Sequence, residues 1–175
     1  MPLPSTMTPI ATFTLTADTG TVLFTAIPQD YTDLRIIIQT RVASASQDYF
    51  SLRFNSDSGA NYSLTYLAGS PAGAQSSSFT GFSQGIVGWG TSNAESATNY
   101  SLVTAEIMNY SNSTTYKTFI SKTAMSNARS DIQANMWRST AAITAVSLAT
   151  WGAGTFGANS MKSGTTLTIY GIKAA

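Results

Sequence analysis

The sequence contains no cysteine and no histidine. Without cysteine there is no disulfide, no thiolate nucleophile and no cysteine-held zinc or iron. Without histidine there is no imidazole base, no Ser-His-Asp triad and no imidazole metal ligand. Charge is scarce too: Asp, Glu, Lys and Arg make up 10% of the chain, and nine basic against eight acidic residues leave a net charge of +1. A nucleic-acid or anionic-membrane footprint needs clustered Lys and Arg, so neither partner is expected. No run approaches the ~18 consecutive apolar residues of a spanning helix. The start, "MPLPSTMTPIATFTL", has no basic region ahead of a long apolar stretch, so no secretory leader is expected.

What is present is hydroxyl, amide and aromatic. There are 24 Ser, 26 Thr and nine Asn among 175 residues, so the polar surface is built from neutral groups. Three Trp, eight Tyr and eight Phe within 43% hydrophobic content are too apolar for a disordered chain. The length suits one domain with a single core.

Period-2 alternation runs from end to end. "ATFTLTA" (11–17) puts Phe13 and Leu15 on one face and Thr12, Thr14 and Thr16 on the other. "LRIIIQTR" (34–41) offers Leu34, Ile36 and Ile38 to one side, and "YFSLRF" (49–54) alternates Phe50, Leu52 and Phe54 with Tyr49, Ser51 and Arg53. Further runs are "TVLFT" (21–25), "YSLTYL" (62–67), "YSLVTAEIMNY" (100–110), "TYKTFIS" (115–121), "DIQANMWR" (131–138), "AITAVSLA" (142–149) and "TTLTIYGI" (165–172). About ten short strands separated by Gly, Ser, Asn and Asp turns, with no sustained helical stripe, predict an all-β fold. The expected architecture is an antiparallel β-sandwich, jelly-roll-like, with about 8–10 strands. Residues 1–10, with two early prolines, are expected to form an extended arm ahead of a single domain at 11–175.

Two stretches read as long Gly/Ser-rich loops: 70–98, with one short strand expected around 84–89, and 150–164. Long loops in compact domains tend to carry contacts. Their aromatics Phe79, Phe82, Trp89, Trp151 and Phe156 are therefore the candidate interface or glycan contacts. Trp137, inside "ANMWRS", is assigned to core or interface.

Catalytic and metal readings find little support. "IPQDYTDL" (27–34) holds no nucleophile beside a base and reads as a corner, with Pro28 fixing φ and Tyr31 packing back over the turn. "NSDSGAN" (55–61) spaces Asn55, Asp57 and Asn61 like a calcium loop. It carries one carboxylate, and Tyr66 stands where the twelfth-position Glu belongs, so a polar hairpin turn is expected. Glu106 lies in an apolar strand between Ala105 and Ile107 and is expected to face solvent by alternation. Arg35, Arg41, Arg53 and Arg138 sit in strands and suit cross-strand or intersubunit pairs. The Asn-Tyr-Ser triplets at 61, 99 and 109 read as strand-edge chemistry. No catalytic residue, metal or cofactor is assigned.

The elbow, "RFNSDSGANYS", "IMNYSNSTTYKT", "WRSTAAITAVSL" and "SGTTLTIYGIKAA" occur together in that order. This layout resembles small β-sandwich virion surface proteins of tailed bacteriophages, notably those of cyanobacterial and other aquatic hosts. The resemblance runs from about Gly20 to Lys173, nearly the whole chain. It implies a non-enzymatic head decoration or cement protein on the virion, bound to the major capsid protein and assembled as a homotrimer. A tail-fibre or appendage module that binds host glycans is the alternative.

Overall fold

The computed structural model describes residues 6–125, 129–152 and 154–173. Its strands are β1 (Met7–Thr14), β2 (Thr21–Phe24), β3 (Asp33–Thr40), β4 (Asp48–Phe54), β5 (Tyr62–Ser70), β6 (Gly73–Phe82) and β7 (Gly85–Gly90). They continue as β8 (Ser101–Ile107), β9 (Lys117–Met125), β10 (Arg129–Trp137), β11 (Val146–Gly152), β12 (Thr155–Phe156) and β13 (Thr166–Ile172). Among the described residues there is no helix. An eight-stranded sheet runs β1-β13-β3-β8-β9-β10-β5-β6; a second runs β12-β11-β4-β7, with β2 also paired to β11. Among the described residues every ladder between these strands is antiparallel, and one isolated bridge, Arg41 to Thr91, is parallel. The chain repeatedly changes sheet, as from β2 to β3, β3 to β4, β6 to β7 and β10 to β11. The fold is an all-β sandwich, as the alternation predicts.

The core lies between the layers. Leu34, Ile36 and Ile38 of β3, Leu167 and Ile169 of β13, and Val103 and Ile107 of β8 are buried against Phe50, Leu52 and Phe54 of β4 and Val146 and Leu148 of β11. Each such side chain contributes about 1.5–3 kcal/mol relative to exposure. At one end Phe54 meets Trp137 and Phe119, each at 5.3 Å between ring centres. Trp137 Nε1 donates to Asp57 Oδ2 at 2.6 Å, which gives the buried indole its partner.

Several boundaries differ from expectation. Residues 7–10 are not a free arm: they open β1, whose Met7 lies opposite Ile172 of β13. Residues 1–5 lie outside the described residues. The 70–98 stretch is mostly strand, holding the end of β5, all of β6 and β7. Most of β6 is exposed, so no buried face printed a period on its sequence. Its backbone pairing with β5, from Tyr62↔Phe82 to Ser70↔Gly73, makes it a strand. The 150–164 stretch includes the end of β11 and the short β12. The strand expected from 142 begins at Val146. Asn55 holds the preceding residues as an irregular segment, accepting from the Thr144 and Ala145 amides and donating to Ala142 O.

Candidate binding site

Strand β4 buries Phe50, Leu52 and Phe54, so alternation sends Tyr49 to its other face. Tyr49 lies opposite Trp89 of β7, with ring centres 4.0 Å apart, and its ring is 5.6 Å from Trp151 of β11. Trp151 meets Phe82 edge-on at 5.4 Å, Phe82 lies 5.6 Å from Phe79, and Phe79 stacks on Tyr66 of β5 at 6.5 Å. The Arg129 guanidinium at the start of β10 closes the circle, 5.6 Å from the Tyr66 ring and 4.7 Å from that of Trp89. Six aromatic rings and one guanidinium thus enclose a cavity of about 350 Å³, lined also by Leu64, Ile86 and Gln133.

Four of the five sequence-selected aromatics, Phe79, Phe82, Trp89 and Trp151, meet in this cage. Phe156 does not line it. It sits beside the cage, opposite Trp151 in the β11–β12 ladder and 4.3 Å beneath the Arg53 guanidinium. Sequence reasoning missed Tyr49, Tyr66, Arg129 and Gln133. A signal existed in β10: Trp137 is buried, and stepping back by twos puts Asn135, Gln133, Asp131 and Arg129 on the inner face.

That inner face carries polar groups seldom buried. Gln133 is 2% exposed and its Nε2 donates to Asp131 Oδ2 at 3.3 Å, which also accepts from Arg129 Nε at 3.0 Å. Arg129 Nη1 donates to Gln75 Oε1 at 3.2 Å, tying β10 to β6. Gln133 Oε1, Asp131 Oδ1, Trp89 Nε1 and Trp151 Nε1 are buried without a protein partner. Such groups cost about 1–3 kcal/mol each. Burial pushes the Tyr49 hydroxyl pKa up, with the Arg129 charge opposing it, so the cage presents a neutral phenol at neutral pH.

The opposite, outward face of β5, β10, β9 and β8 mixes large apolar side chains with Thr65, Thr104, Lys122 and Ser130, Lys122 lying opposite Ile132 in the β9–β10 ladder. Leu67, Ile132, Ile120 and Leu102 are 61%, 43%, 49% and 45% exposed. Ala124 and Ala134 lie between them on the same face, opposite Leu102 and Ile120 in the ladders. An antiparallel sheet normally gives this face polar side chains.

The remaining sequence-selected residues sit elsewhere. The elbow is a corner: Gln29 Nε2 donates to Ile27 O and Ile143 O, both at 2.9 Å, and the Tyr110 hydroxyl donates to Pro28 O. Tyr31 packs where a Cβ on Gly171 would stand, 2.3 Å from its ring, so glycine is what lets the elbow seat on β13. Asp57 accepts from Gly59, Asn61 and Trp137, which makes "NSDSGAN" a braced turn. Glu106 faces outward, 3.6 Å from Arg35 on the neighbouring strand. Among the described residues no three His, Cys, Asp or Glu side chains converge as a metal site would require.

No family model matches the chain, and no curated protein matches its sequence. Among solved structures, alginate lyase Aly36B superposes with a TM-score of 0.38 at 10% identity, over 92% of this chain and 77% of that one. The galectin LEC-6 of Caenorhabditis elegans gives 0.31 at 9% identity, over 93% and 96%. A GH54 α-L-arabinofuranosidase gives 0.33 at 13%, over 96% of this chain and 37% of that one. Scores this low carry nothing about the function of this chain.

Proposed function

We propose that the chain is a non-enzymatic structural protein of a tailed-bacteriophage virion, a decoration or cement protein that binds the outer head surface. Two things support this reading: the resemblance of the ordered motifs to virion surface proteins, and the Leu67, Ile132, Ile120 and Leu102 side chains exposed on the outward face of β5, β10, β9 and β8. The second carries it. Ile132 lies opposite Leu67, and Ile120 opposite Ala134, so part of this face is a contiguous exposed apolar patch, and such patches mark protein–protein contact. On this reading Leu67, Ile132, Ile120 and Leu102 are covered in the particle by a neighbouring copy within a trimer, and the trimer seats on the major capsid protein. A glycan-binding appendage is the alternative, and it turns on the cage instead.

Two measurements test the reading. Immunogold microscopy of intact virions with antibody against the chain is expected to label the head regularly; gold confined to the tail overturns the head assignment. Analytical ultracentrifugation is expected to show a trimer that Ile132→Glu dissociates without loss of circular dichroism. A wild-type monomer that does not bind heads sinks the proposal.

A further inference from the structure

Resting on the reading that a neighbouring copy covers the outward face, we infer that Glu95 of that copy pairs with Lys122 in the middle of this face. Charge is scarce in the chain, with eight acids and nine bases, and nearly all of it is engaged. Asp18, Asp30, Glu106 and Asp131 form ion pairs with Lys162, Lys173, Arg35 and Arg129. Asp33 accepts from the Asn109 amide, Asp48 from Asn159, and Asp57 from Gly59, Asn61 and Trp137. Arg41, Arg53, Arg138 and Lys117 donate to main-chain carbonyls. Among the described residues this leaves one carboxylate and one cation without a hydrogen bond or ion pair, Glu95 and Lys122, and both residues are exposed.

Their settings point to each other. Lys122 stands on β9 between Thr104 of β8 and Ile132 of β10, in an open groove of about 630 Å³ lined also by Leu67 and Leu102. Two acids of the adjoining strands are engaged elsewhere: Asp131 turns to the inner face, and Glu106, diagonal to Lys122 on β8, faces Arg35. An apolar cover over this groove would strip water from the ammonium and give it no counter-charge, which is strongly unfavourable. Whatever covers Leu67, Leu102 and Ile132 therefore has to bring an anion. A second copy has one to bring. Glu95 is the only charge in the exposed 93–98 loop, and that loop is pinned from below. Arg41, only 6% exposed, donates to the Glu95 main-chain oxygen at 2.9 Å, and the Asn93 amide donates to Ser44 O at 2.8 Å. The guanidinium holds the backbone and leaves the carboxylate free, so little ordering is needed when Glu95 meets a partner. In a ring of three, each copy gives Glu95 to one neighbour and Lys122 to the other, a heterologous contact that closes.

Charge reversal in the full-length chain, read by analytical ultracentrifugation, tests the pair. Lys122→Glu and Glu95→Lys are each expected to weaken association about tenfold or more, since each sets like charges against one another across the contact. The double variant is expected to return association to within about threefold of wild type. Both side chains are exposed and unpaired within one copy, so circular dichroism should be unchanged in all three variants. Mixing the two single variants is expected not to restore the trimer. Contacts between unlike variants are matched, but a ring of three cannot alternate two kinds of subunit. A trimer that either reversal leaves unchanged, or that the double variant fails to recover, overturns the inference while the trimer and the head assignment stand. A dimer that obeys the same reversal rule keeps the Glu95–Lys122 contact and overturns the trimer. A wild-type monomer overturns both.

Discussion

The two halves of the eight-stranded sheet use the same alternation to opposite ends. In β13, β3 and β8 the apolar set, Leu167, Ile169, Leu34, Ile36, Ile38 and Val103, points into the sandwich, and Arg35 and Glu106 pair on the outside. In β9, β10 and β5 the arrangement is partly inverted. Ser121, Thr123, Asp131, Gln133 and Asn135 are buried, while Ile120, Ile132 and Leu67 face out. The first half sits over β4 and β11 and behaves as a core. The second lies under β7, whose Gly88 leaves no room for a Cβ, since Thr123 Oγ1 would be 2.2 Å away. Here backbone packs on a polar layer, and the aromatic cage lies alongside. One sheet thus combines a half with an apolar interior and a half with a polar interior whose exterior exposes Leu67, Ile132 and Ile120.

The largest break in this comparison is expected from the conventional half. Ile36→Ala should cost about 3 kcal/mol by urea unfolding, through lost transfer energy and the cavity left behind. Next comes Asp57, in the turn between β4 and β5, which holds the Trp137 indole of β10. Asp57→Asn should cost about 2 kcal/mol, because a hydrogen bond to an ionised acceptor becomes a neutral one. The loss should depend on pH with a defined sign. Burial tends to raise the Asp57 carboxyl, but hydrogen bonds from Trp137, Asn61 and Gly59 outweigh it and hold the pKa below its ordinary 3.8. A depressed folded pKa gives stability that is present above the unfolded value and lost as pH falls through the folded one. The wild-type advantage over Asp57→Asn should therefore be full at neutral pH and shrink below about pH 4. An advantage unchanged at pH 2 would contradict this.

Two smaller effects sharpen the contrast. Gln133→Leu should stabilise the fold by about 1 kcal/mol, since it replaces a buried, half-satisfied amide with a hydrocarbon of similar size. A loss of stability would mean that the amide is structural. Ile132→Ala, on the outward face, should change unfolding of the isolated monomer by less than ~0.5 kcal/mol. The corresponding Ile36 change would be several-fold larger, although both residues alternate identically in sequence.

Where the sequence was misleading, the cause can be named. β6 was invisible as a strand because "GAQSSSFTGF" is mostly exposed, and backbone pairing with β5 leaves no mark on composition. Phe79, Phe82, Trp89 and Trp151 were selected as loop aromatics; three of them lie in β6 and β7 and the fourth in β11. Their convergence was not legible, because the cage draws on β4, β5, β6, β7, β10 and β11, whose contributing residues span 49 to 151. Tyr49 looked like an ordinary outward strand position, alternating with Phe50, Leu52 and Phe54. The elbow was legible as a corner because Pro28 and its neighbouring polar residues act locally.

By itself the sequence determined the backbone. Period-2 patterning with Gly, Ser and Asn turns dictates antiparallel strands, and the absence of Cys and His removes thiol and imidazole chemistry whatever the fold. The tertiary structure decided which face of each strand became interior. Alternation specifies two faces but does not name the buried one; that depends on which sheet lies opposite, and strand pairing brings that sheet from distant parts of the chain. Trp137 and Ile132 belong to one strand, and only the packing of β4 and β7 over β10 makes the first a core residue and the second a surface one.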